Sequence, residues 1–343
     1  MPNLPARPDL GQLRRQAKEL QRAATAGDAD ALRRVGTVSQ RLVLASAQLA
    51  IAREYGFASW PRLRIEVLRR EALDSGDAAR LRALLREEPE LAVARMDHWC
   101  DHRKGASPLG YVAMLRYDTS RGLWRDVPGS DALARTLLEA GAPVDGESGE
   151  PETTLITAAS YGDAAVARVL IEAGADIEAR AASNAGGVPG ATALLHAGVF
   201  GMTAVIDVLV AAGARPASIE QAAAAGNVTG FLSPTTPLQA RVRALVMAAD
   251  HQRPAVIDEL LAAGTPIDAI DEQWGRQALR VAAQNARVAS VEHLLARGAD
   301  PDVRDPQHQR TALDWCRHAR NDVADRSAHD LVEAILQAVT TAA

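Results

Sequence analysis

Residues 153–177 read TTLITAASYGDAAVARVLIEAGADI, and this stretch decides the fold. It predicts two short helices, the first ended by Gly162 and the second by Gly174, because glycine readily adopts the positive φ that ends a helix. Small residues around Ala158 allow a neighbouring helix to approach the first helix closely. The second helix has an apolar stripe that begins at Val166. Such a pair cannot bury its apolar face alone, so we expect similar pairs on either side.

The spacing of this pair recurs along the chain. An apolar residue and a closing glycine are separated by one constant interval at Leu155 and Gly174, Leu194 and Gly213, Leu245 and Gly264, and Leu279 and Gly298. Successive closing glycines are also almost equally spaced, from Gly141 to Gly174 and from Gly264 to Gly298. The sequence therefore predicts an all-α solenoid of stacked helix pairs.

The period and two short segments resemble the ankyrin repeat. The period is about 33 residues, which is the length of an ankyrin unit. The segments are ETTLITAA at 152–159 and TALLHA at 192–197, and the ankyrin signature is T-P-L-H-x-A. The resemblance covers roughly the last three quarters of the chain. It implies an array that mostly presents a binding surface, formed by its inner helices and by the extended turns, or fingers, between helix pairs.

The N-terminal region carries a different pattern. Residues 10–25 and 39–55 predict helices, the first with a clear apolar face. The segments LPARPDLGQLRRQAKEL and AREYGFASWPRL are similar to the helical leader of many bacterial ankyrin proteins. The similarity implies a capping segment over residues 1–65, which covers the apolar end of an array in 66–343.

Two irregularities interrupt the predicted array. The interval from Ser107 to Gly141 is longer than the equivalent interval from Thr153 to Gly174, so an insertion falls near 116–128. Its sequence, RYDTSRGLWRDVP, predicts an ordered loop because it carries a tyrosine and a tryptophan among charges. A degenerate unit near 217–237 is too short for a full second helix, and we expect the stack to bend there.

Charge and composition narrow the classes of partner. Residues 1–95 hold 17 Lys and Arg against 12 Asp and Glu, whereas 96–343 hold 21 against 31. An array this acidic would repel a phosphate backbone, so we expect no nucleic acid partner. The chain has no signal core and no apolar run of membrane-spanning length, which predicts a cytoplasmic protein without a membrane partner.

The candidate binding residues come from the insertion, the fingers and the positions that follow the alanine pairs of inner helices. Aromatic residues make up only 3% of the chain, yet half of the twelve fall at these positions. Aromatic side chains beside a few polar groups are typical anchors of binding surfaces. The candidates are Trp99, Tyr117, Trp124, Tyr161, Phe200, His251, Trp274, Arg276, Arg280 and Asn285. Packing between neighbouring fingers is the alternative interpretation for Trp99 and Trp274.

Fewer residues of the sequence indicate catalysis than indicate binding. Residues 98–102 include His98, Cys100 and His102, whose side chains suit a metal or a nucleophile pair, but no distant ligands or orienting group accompany them. Asp250 and His251 form a candidate general base. We expect neither a metal nor a cofactor.

Some further residues predict packing instead. We expect His196 to be a buried, hydrogen-bonded histidine, and Trp315 and Cys316 to pack in the core of a terminal helix.

The sequence thus leads to two hypotheses of function. The first is a binding module that recognises a partner protein or peptide through its concave face. The alternative is an enzyme or a small-molecule-binding protein, with an aromatic and polar pocket on the concave face under the 116–128 loop. An open groove favours the first hypothesis, and a closed pocket with converging polar groups favours the second.

Overall fold

The computed structural model describes these residues: 4–5, 8–97, 105–119, 121–147, 149–323 and 325–340. Within them the chain is helical apart from one two-stranded hairpin and one isolated β-bridge. The chain divides into two compact units, and the inserted loop belongs to the second. Unit 1 is Met1–Leu115 with Val127–Glu147, and unit 2 is Arg116–Asp126 with Ser148–Ala343. The predicted division after residue 65 falls within unit 1 and stays a prediction.

Five of the seven described α-helices of unit 1 begin at a side-chain cap. Within its described residues the α-helices are α1 (Leu10–Thr25), α2 (Ala29–Gly36), α3 (Leu44–Glu54), α4 (Trp60–Asp74), α5 (Ala78–Glu87), α6 (Pro108–Ala113) and α7 (Ser130–Glu139). A 3-10 turn spans Pro89–Ala92. Asp28 caps α2 by accepting a hydrogen bond from the Ala31 amide at 2.8 Å. The helix predicted over 39–55 begins only at Leu44, because α2 and the turn after it occupy the preceding residues.

Unit 2 holds the hairpin and the regular helix pairs. Its described elements are β1 (Tyr117–Asp118), β2 (Leu123–Trp124), α8 (Thr154–Tyr161), α9 (Ala164–Glu172), α10 (Ala193–Val199), α11 (Thr203–Ala211), α12 (Ile219–Ala225), α13 (Leu238–Asp250), α14 (Pro254–Ala262), α15 (Ala278–Gln284), α16 (Val288–Ala296), α17 (Ala312–Ala319) and α18 (Ser327–Val339). A 3-10 turn spans Arg320–Asp322.

The helices of unit 2 form an inner and an outer row. The inner helices α8, α10, α12, α13, α15 and α17 pack one against the next, and each except α12 also packs against the outer helix that follows it. Buried alanines such as Ala158 and Ala282 line the inner row, where small side chains permit close packing. Buried branched residues such as Val256 and Leu260 fill the outer row. This architecture is the all-α solenoid that the repeat spacing predicts.

One outer helix is missing from unit 2. After α12 the chain runs through residues 226–237 without a helix, and α13 then extends for 13 residues. Val228 is fully buried in this segment. Arg253, just before α14, donates hydrogen bonds to the Ala224 carbonyl at 2.8 Å and to the Asp207 carboxylate of α11. The hydrogen bonds of Arg253 thus connect the start of α14 to α11 and α12, where an outer helix is missing.

Candidate functional site

The inserted loop forms a hairpin that touches both ends of the array in unit 2. β1 and β2 pair antiparallel with Tyr117 opposite Trp124, and the centroids of these two rings lie 5.2 Å apart. The Trp124 ring also lies 6.2 Å from the Tyr161 ring at the end of α8. The Trp124 backbone forms a parallel bridge with Val323, after α17. The array in unit 2 is therefore curved enough to bring its first and last inner helices to one hairpin.

A cleft of about 700 Å³ lies beside this hairpin. Its lining combines an aromatic surface with amides and guanidinium groups, including Arg116, Trp124, Phe200, Gln252, Asn285 and Arg287. Phe200 remains 42% exposed, so the cleft is open to solvent. We call this side of unit 2, where each inner helix turns into its outer helix, the turn end.

Left-handed backbone conformations shape the turn end. Gly162 and Gly201 have φ of 70° and 73°, and Gln252 adopts the same region with φ of 54°. A Cβ atom added to Gly201 would lie 2.9 Å from Nη2 of Arg287, which donates a hydrogen bond to the Gly201 carbonyl. Gly201 is thus required both for its φ and for the close approach of that arginine.

Asp250 ties neighbouring repeats together beneath the cleft. This buried carboxylate accepts hydrogen bonds from Asn285 Nδ2 at 2.8 Å and from Arg287 Nε at 3.2 Å. The same arginine reaches the Gly201 carbonyl. Asp250 therefore holds two of the cleft's lining side chains in place and has almost no exposed surface of its own.

His251 is enclosed in the same region. Its exposed fraction is 0%. Nε2 donates to the Gly198 carbonyl at 3.0 Å, and Nδ1 accepts from Thr203 Oγ1 at 3.0 Å. Burial lowers the pKa of His251, and this effect exceeds the opposing influence of Asp250. The neutral ring therefore connects two repeats through its hydrogen bonds. The predicted placement of His251 on the groove does not fit this burial, because side chains that close an inner helix turn also face the next repeat.

The other predicted binding residues fall into separate groups. Tyr117, Trp124 and Tyr161 form one aromatic cluster, and Phe200 and Asn285 line the cleft. The remaining three precede or begin α15 instead of following it, at what we call the finger end. These three are Trp274, Arg276 and Arg280. Trp274 is 37% exposed there, with the Arg243 guanidinium 5.9 Å from its ring centroid.

One group of predicted residues lies outside the described part of the chain. His98, Trp99, Cys100 and the rest of the 98–102 cluster belong to it. In the described residues no group of three or more His, Cys, Asp or Glu side chains is placed to hold a metal ion.

Comparison with known families identifies the repeat. Residues 274–306 match the family model of the ankyrin repeat, and they contain the finger, α15 and α16. The same pair of helices recurs through unit 2. The chain contains an ankyrin repeat. In general, arrays of this fold mediate contacts between proteins.

Solved structures and curated proteins give two further results. The human ASB11 ankyrin repeat domain is similar at 25% identity over 69% of this chain and 99% of that chain, with a TM-score of 0.31. Comparison with the curated proteins gives no match. Among the described helices, none has the length and apolarity needed to cross a membrane.

Sequence reasoning missed the arginines that organise the ankyrin turns. Arg253 and Arg287 each lie just before an outer helix, and each donates to a backbone carbonyl of an earlier repeat. Arg116, just before β1, also donates to a backbone carbonyl of the turn end, that of Gly162. The repeat period could have revealed them, because Arg253 and Arg287 occupy the same position in consecutive units.

The residues predicted to pack behave in two ways. His196 is fully buried, and its Nε2 donates to the Val188 carbonyl at 3.1 Å. Cys316 is buried as well, and burial raises the pKa of its thiol to about 11, which makes it a poor nucleophile. Trp315 departs from the prediction of core packing. Its ring is only half buried and lies among charged side chains at the finger end, because its indole N–H is drawn to Asp305 at 2.9 Å.

Proposed function

We propose that this ankyrin-repeat protein binds an extended segment of a partner protein or a peptide in the cleft at the turn end. The observation that carries the proposal is the exposed Phe200 ring in a cleft of about 700 Å³ that amides and arginines also line. A large exposed aromatic residue stabilises a complex when the partner buries it.

The polar lining suits a peptide backbone. Gln252 and Asn285 offer amide groups, and amides can both donate to and accept from the N–H and C=O groups of an extended chain. The ties from Asp250 and Gly201 hold Asn285 and Arg287 before any partner arrives, which lowers the entropic cost of binding.

One observation favours the alternative, a small-molecule site. The cleft volume lies within the range of about 300–1,000 Å³ that ligand pockets occupy. Such pockets are mostly apolar and enclose their ligands, whereas this cleft is open at Phe200 and rich in polar groups. We therefore favour a peptide over a small molecule as the ligand of the cleft.

A selection from a random peptide library displayed on phage tests the proposal. Peptides enriched on the wild-type protein should lose at least about tenfold in affinity for Phe200→Ala, as expected for a central aromatic anchor. Phe231→Ala is the matched control, since Phe231 is 39% exposed, lies in the segment without a helix and is not among the residues that line the cleft.

The outcomes separate the hypotheses. Failure to enrich any peptide, or equal losses in both variants, would remove the proposal. A metabolite that stabilises the wild type in a thermal-shift screen but not Phe200→Ala, with no peptide enriched, would establish the small-molecule alternative instead.

A further inference from the structure

Arg280 is a largely buried cation whose hydrogen-bond donors are unused. Its side chain is 11% exposed, and its buried Nε has no hydrogen-bond partner. Across the part of the chain that the structure describes, its polar contact is a long ion pair with Asp305, whose Oδ1 lies 4.0 Å from Nη1. Of the guanidinium nitrogens, only Nε is fully enclosed without a partner, whereas Nη1 and Nη2 keep some exposure and make no hydrogen bond with a described residue.

Asp305 cannot satisfy this arginine, because other donors already occupy its carboxylate. It accepts from the backbone amides of Gln307, His308 and Arg310 and from the Trp315 indole, at 2.7–3.1 Å. Burial would raise the pKa of Asp305, but these hydrogen bonds outweigh it and lower the pKa to about 2. The carboxylate is thus a structural element of the finger, and it gives Arg280 a counter-charge at 4.0 Å but no hydrogen bond.

Further cations surround Arg280. Burial lowers its pKa, and the nearby charge of Arg276 lowers it further against the influence of Asp305. The guanidinium carbons of Arg280 and Arg310 lie 5.5 and 5.3 Å from the Trp315 ring centroid. The structure shows the exposed Arg276 side chain in no hydrogen bond or ion pair with any described residue. Four groups at the finger end, Arg276, Arg280, Arg310 and Trp315, therefore form a cationic and aromatic surface, which we call the arginine surface.

The geometry points to the arginine surface as a docking site for an acidic segment of a partner protein, whose carboxylates would accept hydrogen bonds from Nη1 and Nη2 of Arg280. This inference rests on the proposed role as a partner-binding protein but concerns a surface at the other end of the inner helices. Charge complementarity supports an acidic occupant, since arginine forms bidentate hydrogen bonds with carboxylates and Trp315 already holds two of the arginines in place.

The repeat period sets the expected spacing of the carboxylates. Arg276 and Arg310 occupy equivalent positions of consecutive fingers. Packed helices lie about 8–10 Å apart, so these cations should be separated by a similar distance. A polyproline II chain advances about 9 Å over three residues and returns to the same face. An acidic residue at every third position would thus match the surface.

The probe is a fluorescein-labelled peptide with four Glu-Pro-Pro repeats, and its matched control has four Gln-Pro-Pro repeats. Fluorescence anisotropy with the full chain measures the affinity at one fixed ionic strength. We expect the glutamate peptide to bind and the glutamine peptide to bind at least about tenfold more weakly, as expected for charged hydrogen bonds. Arg276→Gln, Arg280→Gln and Arg310→Gln should each weaken binding of the glutamate peptide by about tenfold.

Arg297→Gln is the matched charge control, because Arg297 follows the outer helix α16 and pairs with Asp258. Equal weakening by Arg297→Gln, equal affinity for the two peptides, or no loss in the three finger variants would overturn the inference. So would displacement of the probe by inorganic phosphate at matched ionic strength, since the site would then select a free anion. If Arg280→Gln unfolds, as judged by circular dichroism, the exposed Arg276 and the half-buried Arg310 carry the test.

Phe200→Ala separates this inference from the proposed function. It should leave binding of the glutamate peptide unchanged while it abolishes binding of the library-selected peptides. Loss of both would show that the acidic peptide occupies the cleft, which would overturn the arginine surface.

Discussion

The two ends of the inner helices in unit 2 differ in how well their polar side chains are hydrogen-bonded. At the turn end, Asp250 and His251 are buried and satisfied by Asn285, Arg287, Gly198 and Thr203. At the finger end, the Arg280 side chain is 11% exposed and makes no hydrogen bond with any residue that the structure describes. Polar residues on an inner helix therefore do not share one role. Those satisfied within the chain connect neighbouring repeats, whereas for Arg280 we propose an acidic partner.

Asp250→Ala tests the structural side of this comparison and has the largest expected effect. It removes the carboxylate that pairs with Arg287 and leaves a mostly buried cation with only the Gly201 carbonyl. Removing one partner of a buried ion pair costs about 3 kcal/mol or more. Urea denaturation should show that loss in the free energy of unfolding of the full chain.

Asp258→Ala makes the same substitution where the carboxylate is partly exposed and pairs with His293 and Arg297. A surface pair contributes about 0–1 kcal/mol, so the control should unfold almost like the wild type. Similar losses in the two variants would mean that Asp250 is not a tie between repeats.

Gly201→Ala tests the backbone contact between Gly201 and Arg287 at the turn end. An alanine there has to adopt φ near 73°, and its Cβ would collide with Nη2 of Arg287. Gly213→Ala shares the strain, with φ of 96°, but its Cβ would meet nothing within 4 Å. A left-handed non-glycine residue costs about 1–3 kcal/mol, and the collision should add to that cost only at residue 201. Equal free energies of unfolding for the two variants would show that the Arg287 contact contributes nothing.

The fold was predictable because it repeats. The interval from Leu155 to Gly174 returns unchanged in three more units, so single ambiguous residues do not change the interpretation. The hairpin was not predictable as such. Its strands are two residues long, and its position depends on Trp124 contacting Tyr161 and Val323, which are distant in sequence.

The candidate site was harder to derive than the fold. The sequence places Phe200 and His251 at equivalent positions, yet Phe200 lines the cleft and His251 is enclosed. At this end residues of distant repeats, such as Gly201 and Arg287, meet. Burial of this kind depends on the curvature of the array, and no local pattern encodes it.

The last prediction uses pH to test whether His251 is held neutral in the folded protein. Burial lowers the pKa of the folded ring, whereas the ring of the unfolded chain has a pKa of about 6.5. Below that pH the ring binds a proton in the unfolded state but not in the folded state. The contribution of His251 to stability is therefore complete above about pH 6.5. It falls with decreasing pH, by up to about 1.4 kcal/mol per pH unit, until the folded pKa is reached.

Urea denaturation of the wild type and of His251→Gln at pH 7.5 and pH 5.5 measures this contribution. Between those two pH values the wild type should lose about 1 kcal/mol more stability than His251→Gln, because glutamine cannot take up the proton. Other titrating groups are common to both proteins and cancel in the difference. His308→Gln, made at an exposed ring of the finger end, should follow the wild type. If wild type and His251→Gln lose the same stability, the ring accepts a proton in the folded protein, and the turn end is not the closed, satisfied network that the hydrogen bonds of His251 indicate.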